Sequence, residues 1–339
     1  MPANTHHASV TTAATVAPTT VTAGAAGRVV RPERLRPSLV TVRRLALAAV
    51  VANIAIVASG GLVRLTGSGL GCPSWPDCVG SSLAPTRQLS WHKYVEFGNR
   101  LFTYVVLAAV VAALVAVLRS RPRPDGLRMW AWLSFLGVPA QAVMGGISVL
   151  TDLNPWVVAG HFVLSMLLIA AATVLWWRAR AANADAGPVG APVHPLLRRL
   201  GWATWGLTYA VLCAGTVVTG SGPHAGDPSA PRIAIRSESV AQLHADLVMA
   251  LVGMSFALAI AVTATTADRD ARLATRALLG ALALQTAIGF AQYFDKLPIG
   301  LVELHLLGAA CIAAAATAVV LATGQAGPPA RAHGSALTS

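Results

Sequence analysis

Eight stretches of the chain stay apolar for about 20 residues at a time, the length a helix needs to cross a hydrocarbon core of ~30 Å. They run from Leu45 to Leu65, Tyr94 to Leu118, Leu127 to Leu150, Trp156 to Trp177, Leu200 to Gly220, Val240 to Thr263, Arg276 to Tyr293 and Ile299 to Thr323. Apolar positions within them do not alternate with period two, as strands of a membrane barrel would. Backbone groups in lipid must then bond within their own segment, which only a helix allows. The pattern predicts an all-α polytopic membrane protein of eight transmembrane helices.

Composition agrees with that reading. Of 339 residues, 55% are hydrophobic and 11% charged, and the mean hydropathy is +0.63. So few polar residues do not coat a soluble globule of this size. A net charge of +12 would suit nucleic acid if it formed one patch, but the cations fall at alternate helix ends, which excludes that partner. Arg28, Arg31, Arg34, Arg36, Arg43 and Arg44 precede the first span, and Arg119, Arg121, Arg123 and Arg128 follow the second. Arg178, Arg180, Arg198 and Arg199 lie between the fourth and fifth, and Arg269, Arg272 and Arg276 between the sixth and seventh. The other loops carry only Arg87, Lys93, Arg232, Arg236 and Lys296. Positive charge marks the cytoplasmic side. A multi-pass protein of the cell membrane is expected, with both termini cytoplasmic and loops one, three, five and seven outside. Residues 1–42 and 324–339 read as disordered cytoplasmic tails, and the uncharged start before Arg28 lacks the basic opening of a cleaved secretory signal.

The chain also repeats itself. Gln141-Ala-Val-Met-Gly145 is followed by His161, 20 residues after the glutamine, and Gln285-Thr-Ala-Ile-Gly289 by His305 at the same spacing, an offset of 144. Pro155 and Pro298 fall one residue from that register, and Thr66-Gly-Ser-Gly69 is echoed by Thr219-Gly-Ser-Gly222 at the ends of the first and fifth spans. Three echoes in one order point to duplication. Each half has an even number of spans, so both enter the membrane the same way, as a parallel repeat. Two tandem four-helix bundles related by a pseudo-twofold axis are expected, residues 43–178 and 198–323, joined by a cytoplasmic linker at 179–197.

Three histidines fall at one depth inside these spans. His161 lies about five residues, and His244 and His305 about seven, from the external helix ends, or roughly 7 to 11 Å below the boundary. Ionisable groups in lipid are rare and usually functional, and imidazole ligates haem iron. His244 and His305, on the second and fourth helices of their bundle, are placed to clamp one iron; the plainer alternative is a hydrogen bond from each to a neighbouring helix. In the first half, Glu96-Phe-Gly-Asn99-Arg100 sets Asn99 near the position of His244. His161 is then the secure ligand of that half, and His92, seven residues before Asn99, a poorly placed substitute. Glu96 and Arg100, four apart, fit either a helix ion pair or a proton-handling site. Cys72 and Cys78, in the first external loop, fit a structural disulfide or a redox-active pair. Cys213 and Cys311, inside spans, read as apolar fillers.

Gly60-Gly-Leu-Val-Arg-Leu-Thr-Gly-Ser-Gly-Leu-Gly-Cys-Pro-Ser-Trp-Pro-Asp-Cys78, with Glu96-x-x-Asn-Arg100 and the His161 and His305 segments, resembles the haem A synthase family over about residues 45–323. The resemblance implies oxidation of the C8 methyl of haem O to the formyl of haem A, through a hydroxymethyl intermediate, for terminal oxidases. It implies a haem b cofactor whose iron is held by His244 and His305, with the substrate haem in the first half. The family's Glu-x-x-His-Arg motif carries over at Glu96 and Arg100, while Asn99 stands where it has histidine. Arg64 and Arg100 are suited to haem propionates, Arg64 equally to snorkelling. The partners implied are the haem O substrate, membrane lipid, a haem O synthase and an electron-transfer partner not identified by sequence. The main alternative is an electron-transfer cytochrome that modifies neither haem; a transporter would bind no haem, and a polyprenyl transferase would need Asp-rich motifs absent here.

Overall fold

Helix-starting chemistry explains where the elements begin. Ser38 accepts the Thr41 N–H at 3.2 Å and opens α1 (Leu39–Leu65). Asp268 accepts the Ala271 N–H at 2.9 Å and opens α7 (Arg269–Phe294), seven residues before the apolar run at Arg276. Pro155 and Pro195 are the first residues of α4 (Pro155–Asn183) and α5 (Pro195–Ser221), where a missing N–H costs nothing. The remaining helices are α2 (Trp91–Arg119), α3 (Leu127–Leu150), α6 (Ser237–Thr265) and α8 (Ile299–Gly324). This computed structural model describes residues 37–78, 80, 82, 91–120, 126–183, 194–266 and 268–324. The expected disordered tails outside those limits, and Arg28, Arg31, Arg34, Arg36, Arg87, Arg121 and Arg123, lie outside the described residues. So does most of the expected linker, residues 184–193. Every one of the eight helices among the described residues is long and apolar enough to cross a membrane, and the chain is an all-α, multi-pass membrane protein.

Each expected span lies within one helix; α3 has the expected bounds, and the others are longer at one or both ends. Helices α1 to α4 pack as a closed ring, each on the next and α4 back on α1, and α5 to α8 do the same. The rings meet along α4 and α8, flanked by α1 on α8 and α4 on α5. Leu114, Leu127 and Leu175 fill the first ring, and Leu251, Leu258 and Leu278 the second. Between the rings lie Val57, Met166, Leu212, Ala309, Ala310 and Ala313. Small residues there let helices approach closely, which in lipid replaces the hydrophobic drive. The Tyr209 hydroxyl also donates across this seam to the Met166 carbonyl, 2.9 Å.

The repeat is visible in the backbone. The α3–α4 turn holds two successive left-handed residues, Asp152 and Leu153 (φ 51° and 58°), and the α7–α8 turn holds Lys296 and Leu297 (both 61°). The Leu153 N–H reaches back to Ser148 O at 2.8 Å and the Leu297 N–H to Gln292 O at 2.7 Å, the offset of 144 again. Left-handed geometry costs a non-glycine residue roughly 1–2 kcal/mol, so a matched pair in both halves is a copied turn. The third sequence echo behaves otherwise. Thr66 caps α1, whereas Thr219 lies inside α5, which runs on to Ser221. Gly-Ser-Gly ends one helix and extends the other, so the resemblance there is of sequence and not of backbone.

Loops one, three, five and seven converge at one end. Gly69 donates to Gly226 O at 2.8 Å, and Leu153, Ala225 and Ala230 form a small apolar cluster with Leu70 and Val158. Trp75, from the first loop, lies on Gly146 of α3, where an added Cβ would sit 2.7 Å from Trp75 Cε2 and 2.8 Å from Cγ. An indole has no flexible end to yield. Gly146→Ala is expected to push the loop off α3 at a cost of ~1–3 kcal/mol, read as faster protease cleavage between Cys72 and Trp91. Cleavage unchanged from the parent protein would show that the contact does not hold the loop.

Candidate functional site

Imidazoles face each other in the second ring. His305 is the seventh residue of α8 and His244 the eighth of α6, about 9 to 11 Å along their helices from the loop end. Their ring centroids are 6.5 Å apart. Val211 O on α5 lies 3.1 Å from His244 Nδ1 and fixes that nitrogen as the proton carrier, leaving Nε2 with its lone pair. His305 packs on Gly289 of α7, where a Cβ would lie 3.3 Å from its Cε1. The Gln285 Nε2 donates to the His305 carbonyl at 2.8 Å and clips α7 to α8 at the level of the ring.

The first ring repeats half of this. His161, the seventh residue of α4, packs on Gly145, and the Gln141 Nε2 donates to its carbonyl at 3.2 Å and to Ser165 Oγ at 2.6 Å. The two Gln–His pairs seen in sequence are thus the same contact made twice. Nδ1 of both His161 and His305 is buried without a hydrogen-bond partner among the described residues. Opposite His161, α2 presents Asn99 as its ninth residue. Ser59 Oγ is 2.6 Å from Asn99 Oδ1. His92 sits two turns nearer the loop end, beside Ser68 Oγ at 3.0 Å and stacked on Trp91.

Glu96 and Arg100 build a loop anchor. Glu96 is 4% exposed; its Oε2 accepts the Cys72 N–H at 2.6 Å, and its Oε1 accepts Arg100 Nη2 at 2.6 Å and Nε at 3.2 Å. Arg100 spends its other donors on the carbonyls of Cys72, Ser74, Pro76 and Asp77, between 3.0 and 3.4 Å. Those carbonyls belong to the loop closed by the Cys72–Cys78 disulfide, whose Cα atoms are 4.4 Å apart. The ion pair read from the sequence is therefore present, and it extends into a fold-holding network. Arg64 likewise binds backbone: Nε to His224 O at 2.7 Å and Nη2 to Thr219 O at 3.0 Å, tying α1 to the α5–α6 side.

Two side chains at this site went unnoticed in the sequence. Ser59 positions Asn99. Glu303, two residues before His305, has both carboxylate oxygens buried without a partner and packs against Gly61 of α1, whose Cβ would lie 3.2 Å from its Cδ. The rule that singles out ionisable residues in membrane spans applies to Glu303 as much as to the histidines. Cys213 and Cys311 are both exposed and free rather than packed fillers inside the rings. Among the described residues no three His, Cys, Asp or Glu side chains converge as a metal site. His244 and His305 together offer two imidazoles, a donor set that suits a group bringing its remaining ligands with it.

The match to known proteins runs through the same residues. The model of a family described as cytochrome oxidase assembly protein, COX15-CtaA, matches residues 43–317. A protein named "Heme A synthase" from Geobacillus thermodenitrificans is 35% identical over 120 residues, 35% of this chain and 37% of its own length. Another from Geobacillus kaustophilus is 33% identical over 141 residues, 39% of this chain and 43% of its own. A third, from Symbiobacterium thermophilum, is 33% identical over 181 residues, covering 52% and 58%. The chain thus spans about two fifths of the length of the first two relatives and under two thirds of the third. With all eight helices touched by the family match, the chain belongs to the COX15-CtaA family of cytochrome oxidase assembly proteins.

Proposed function

We propose that the protein is a haem A synthase, a haem-dependent oxidoreductase that converts the C8 methyl of haem O to the formyl of haem A by way of a hydroxymethyl intermediate. The observation that carries this reading is the pair of facing imidazoles, His244 and His305, repeated in the first ring with His161 kept and Asn99 in place of its partner. Imidazole nitrogens bind a metal at ~2 Å, and centroids 6.5 Å apart leave room for both rings to hold one iron if haem were bound. Residues 198–323 hold haem b on these histidines, and residues 43–178 take the substrate haem on His161. Bound haem supplies the redox-active iron that oxidation of an unactivated methyl requires.

The chain's own residues position and deprotonate. Glu96, three residues before Asn99 and on the same face of α2, is the carboxylate set to hold or pass a proton in the first ring. Arg100 holds the loop over the site instead of meeting a propionate, because its donors are taken. Arg64 keeps Nη1 for that purpose, its other two nitrogens being bonded to backbone. Cys72–Cys78 serves as the staple of this loop. The loop end faces outward from the cell membrane, since the disulfide needs an oxidising side and Arg43, Arg44, Arg119, Arg128, Arg198 and Arg199 lie at the opposite end. Both termini are then cytoplasmic, with a haem O synthase as the membrane partner that delivers substrate and a separate electron-transfer partner that removes electrons.

Pigment extraction tests the reading. Protein expressed with a haem O supply should yield haem b together with haem A or its hydroxymethyl precursor, and without that supply haem b alone. Haem b with unmodified haem O would identify an electron-transfer cytochrome instead.

A further inference from the structure

We propose that the first ring holds its haem through His161 alone and keeps the opposite axial position open, with the Asn99 amide donating a hydrogen bond to a small ligand that enters it. The inference rests on the haem-binding reading above and assigns Asn99 a task that the reading leaves undefined.

The two rings differ at one position and in the contact behind it. On α5, Gly215 faces His244, with an added Cβ 3.1 Å from Cε1, and on α1 Gly60 faces Asn99, with an added Cβ 4.0 Å from Oδ1. One turn before each glycine is a backbone carbonyl, Val211 O on α5 and Ile56 O on α1. Val211 O takes the His244 Nδ1 proton at 3.1 Å directly. Ile56 O instead meets Ser59 Oγ at 3.1 Å, and Ser59 Oγ meets Asn99 Oδ1 at 2.6 Å. A hydroxyl has one proton, and the shorter contact, to an amide oxygen, takes it.

Ser59 thereby decides which end of the amide is free. A neutral amide ligates iron through oxygen, since its nitrogen lone pair is delocalised into the carbonyl. Oδ1 spends one of its two lone pairs on the Ser59 hydroxyl, which turns the oxygen toward α1 and leaves Nδ2 at the other end of the amide. Nδ2 carries two N–H donors and has no hydrogen-bond partner among the described residues, nor is it among the fully buried polar atoms. Asn99, ninth in α2, lies within one residue of the helix position of His244, eighth in α6. His161 matches His305 in helix position, in its glycine seat and in its glutamine clip, so one axial ligand is kept and the other is exchanged for a donor. The ligand class is a small iron ligand with an acceptor lone pair, of which cyanide and carbon monoxide are probes.

Full-length protein carrying both haems gives the test. Cyanide should bind the ferric protein at one haem per chain, leaving the other as an unchanged bis-imidazole spectrum. Asn99→His should fill the open position and abolish that binding. Asn99→Ala should leave the position open but weaken cyanide roughly fivefold, the worth of one hydrogen bond, and raise the carbon monoxide stretching frequency of the reduced adduct. Ser59→Ala should shift the same frequency, because the amide is then free to turn. Two haems that both refuse cyanide and carbon monoxide would overturn the open position while leaving the haem A synthase reading standing. Adducts unaffected by Asn99→Ala and Ser59→Ala would overturn the donor role. A chain that binds no haem would overturn both.

Discussion

On the proposed function, His305→Ala or His244→Ala is expected to strip haem b from the protein, whereas His161→Ala is expected to keep it and lose conversion of haem O. Second-shell changes around a metal already cost 10–100-fold in affinity, so removing one of two axial imidazoles is expected to lower haem b occupancy at least ~100-fold at limiting haem. The residual histidine would sit across a space left by its partner, 6.5 Å between centroids in the parent. Neither substitution touches Gln141, Ser165 or Gly145, which seat His161. His161→Ala in turn leaves Val211, Gln285 and Gly289 in place around the other pair. Pigments extracted at equal protein, with reduced spectra of the three variants, decide the matter. Loss of the bis-imidazole spectrum in His161→Ala, with retention in the other two, would exchange the roles of the rings.

How much of this was legible in the sequence follows from what each signal depends on. Helix existence depends on apolar length, and all eight spans were found. Helix ends depend on caps, so α7 was started seven residues late by a reading that ignored Asp268. The Gln–His echoes were legible because spacing along two joined helices fixes a contact, and both contacts are made. The Thr-Gly-Ser-Gly echo falls at the end of both helices but at different points, since glycine permits a helix end without requiring one: Thr66 caps α1, while α5 runs through Gly220 to Ser221. Guanidinium roles were the least legible. Arg100 binds carbonyls of the disulfide loop, and Arg64 those of His224 and of Thr219 in α5, contacts that no local pattern encodes. Ser59 was missed for the same reason, since its meaning comes from Asn99, 40 residues away.

Glu96 carries two tasks that substitution separates. Its carboxylate holds the disulfide loop through the Cys72 N–H and Arg100, and it stands one turn from Asn99 on the face of α2 that lines the first ring. Glu96→Ala removes an almost fully buried partner from an arginine that is 21% exposed. Breaking a buried pair costs ~3–5 kcal/mol, and the partial exposure of Arg100 places the cost near the lower figure. Local opening of about 3 kcal/mol corresponds to roughly 100-fold faster reduction of Cys72–Cys78 by a thiol reagent, at ~1.4 kcal/mol per tenfold. Glu96→Gln keeps the shape and one amide oxygen to accept a bond, so its loop should open much less. It cannot take up a proton. The expected outcome is a Glu96→Gln protein with haem b bound, a disulfide reduced within about tenfold of the parent rate, and methyl oxidation reduced at least ~100-fold, the usual scale of lost general base catalysis. Turnover that instead falls only in step with loop opening across Glu96→Gln, Glu96→Ala and Arg100→Ala would make Glu96 a structural anchor and remove it from the chemistry.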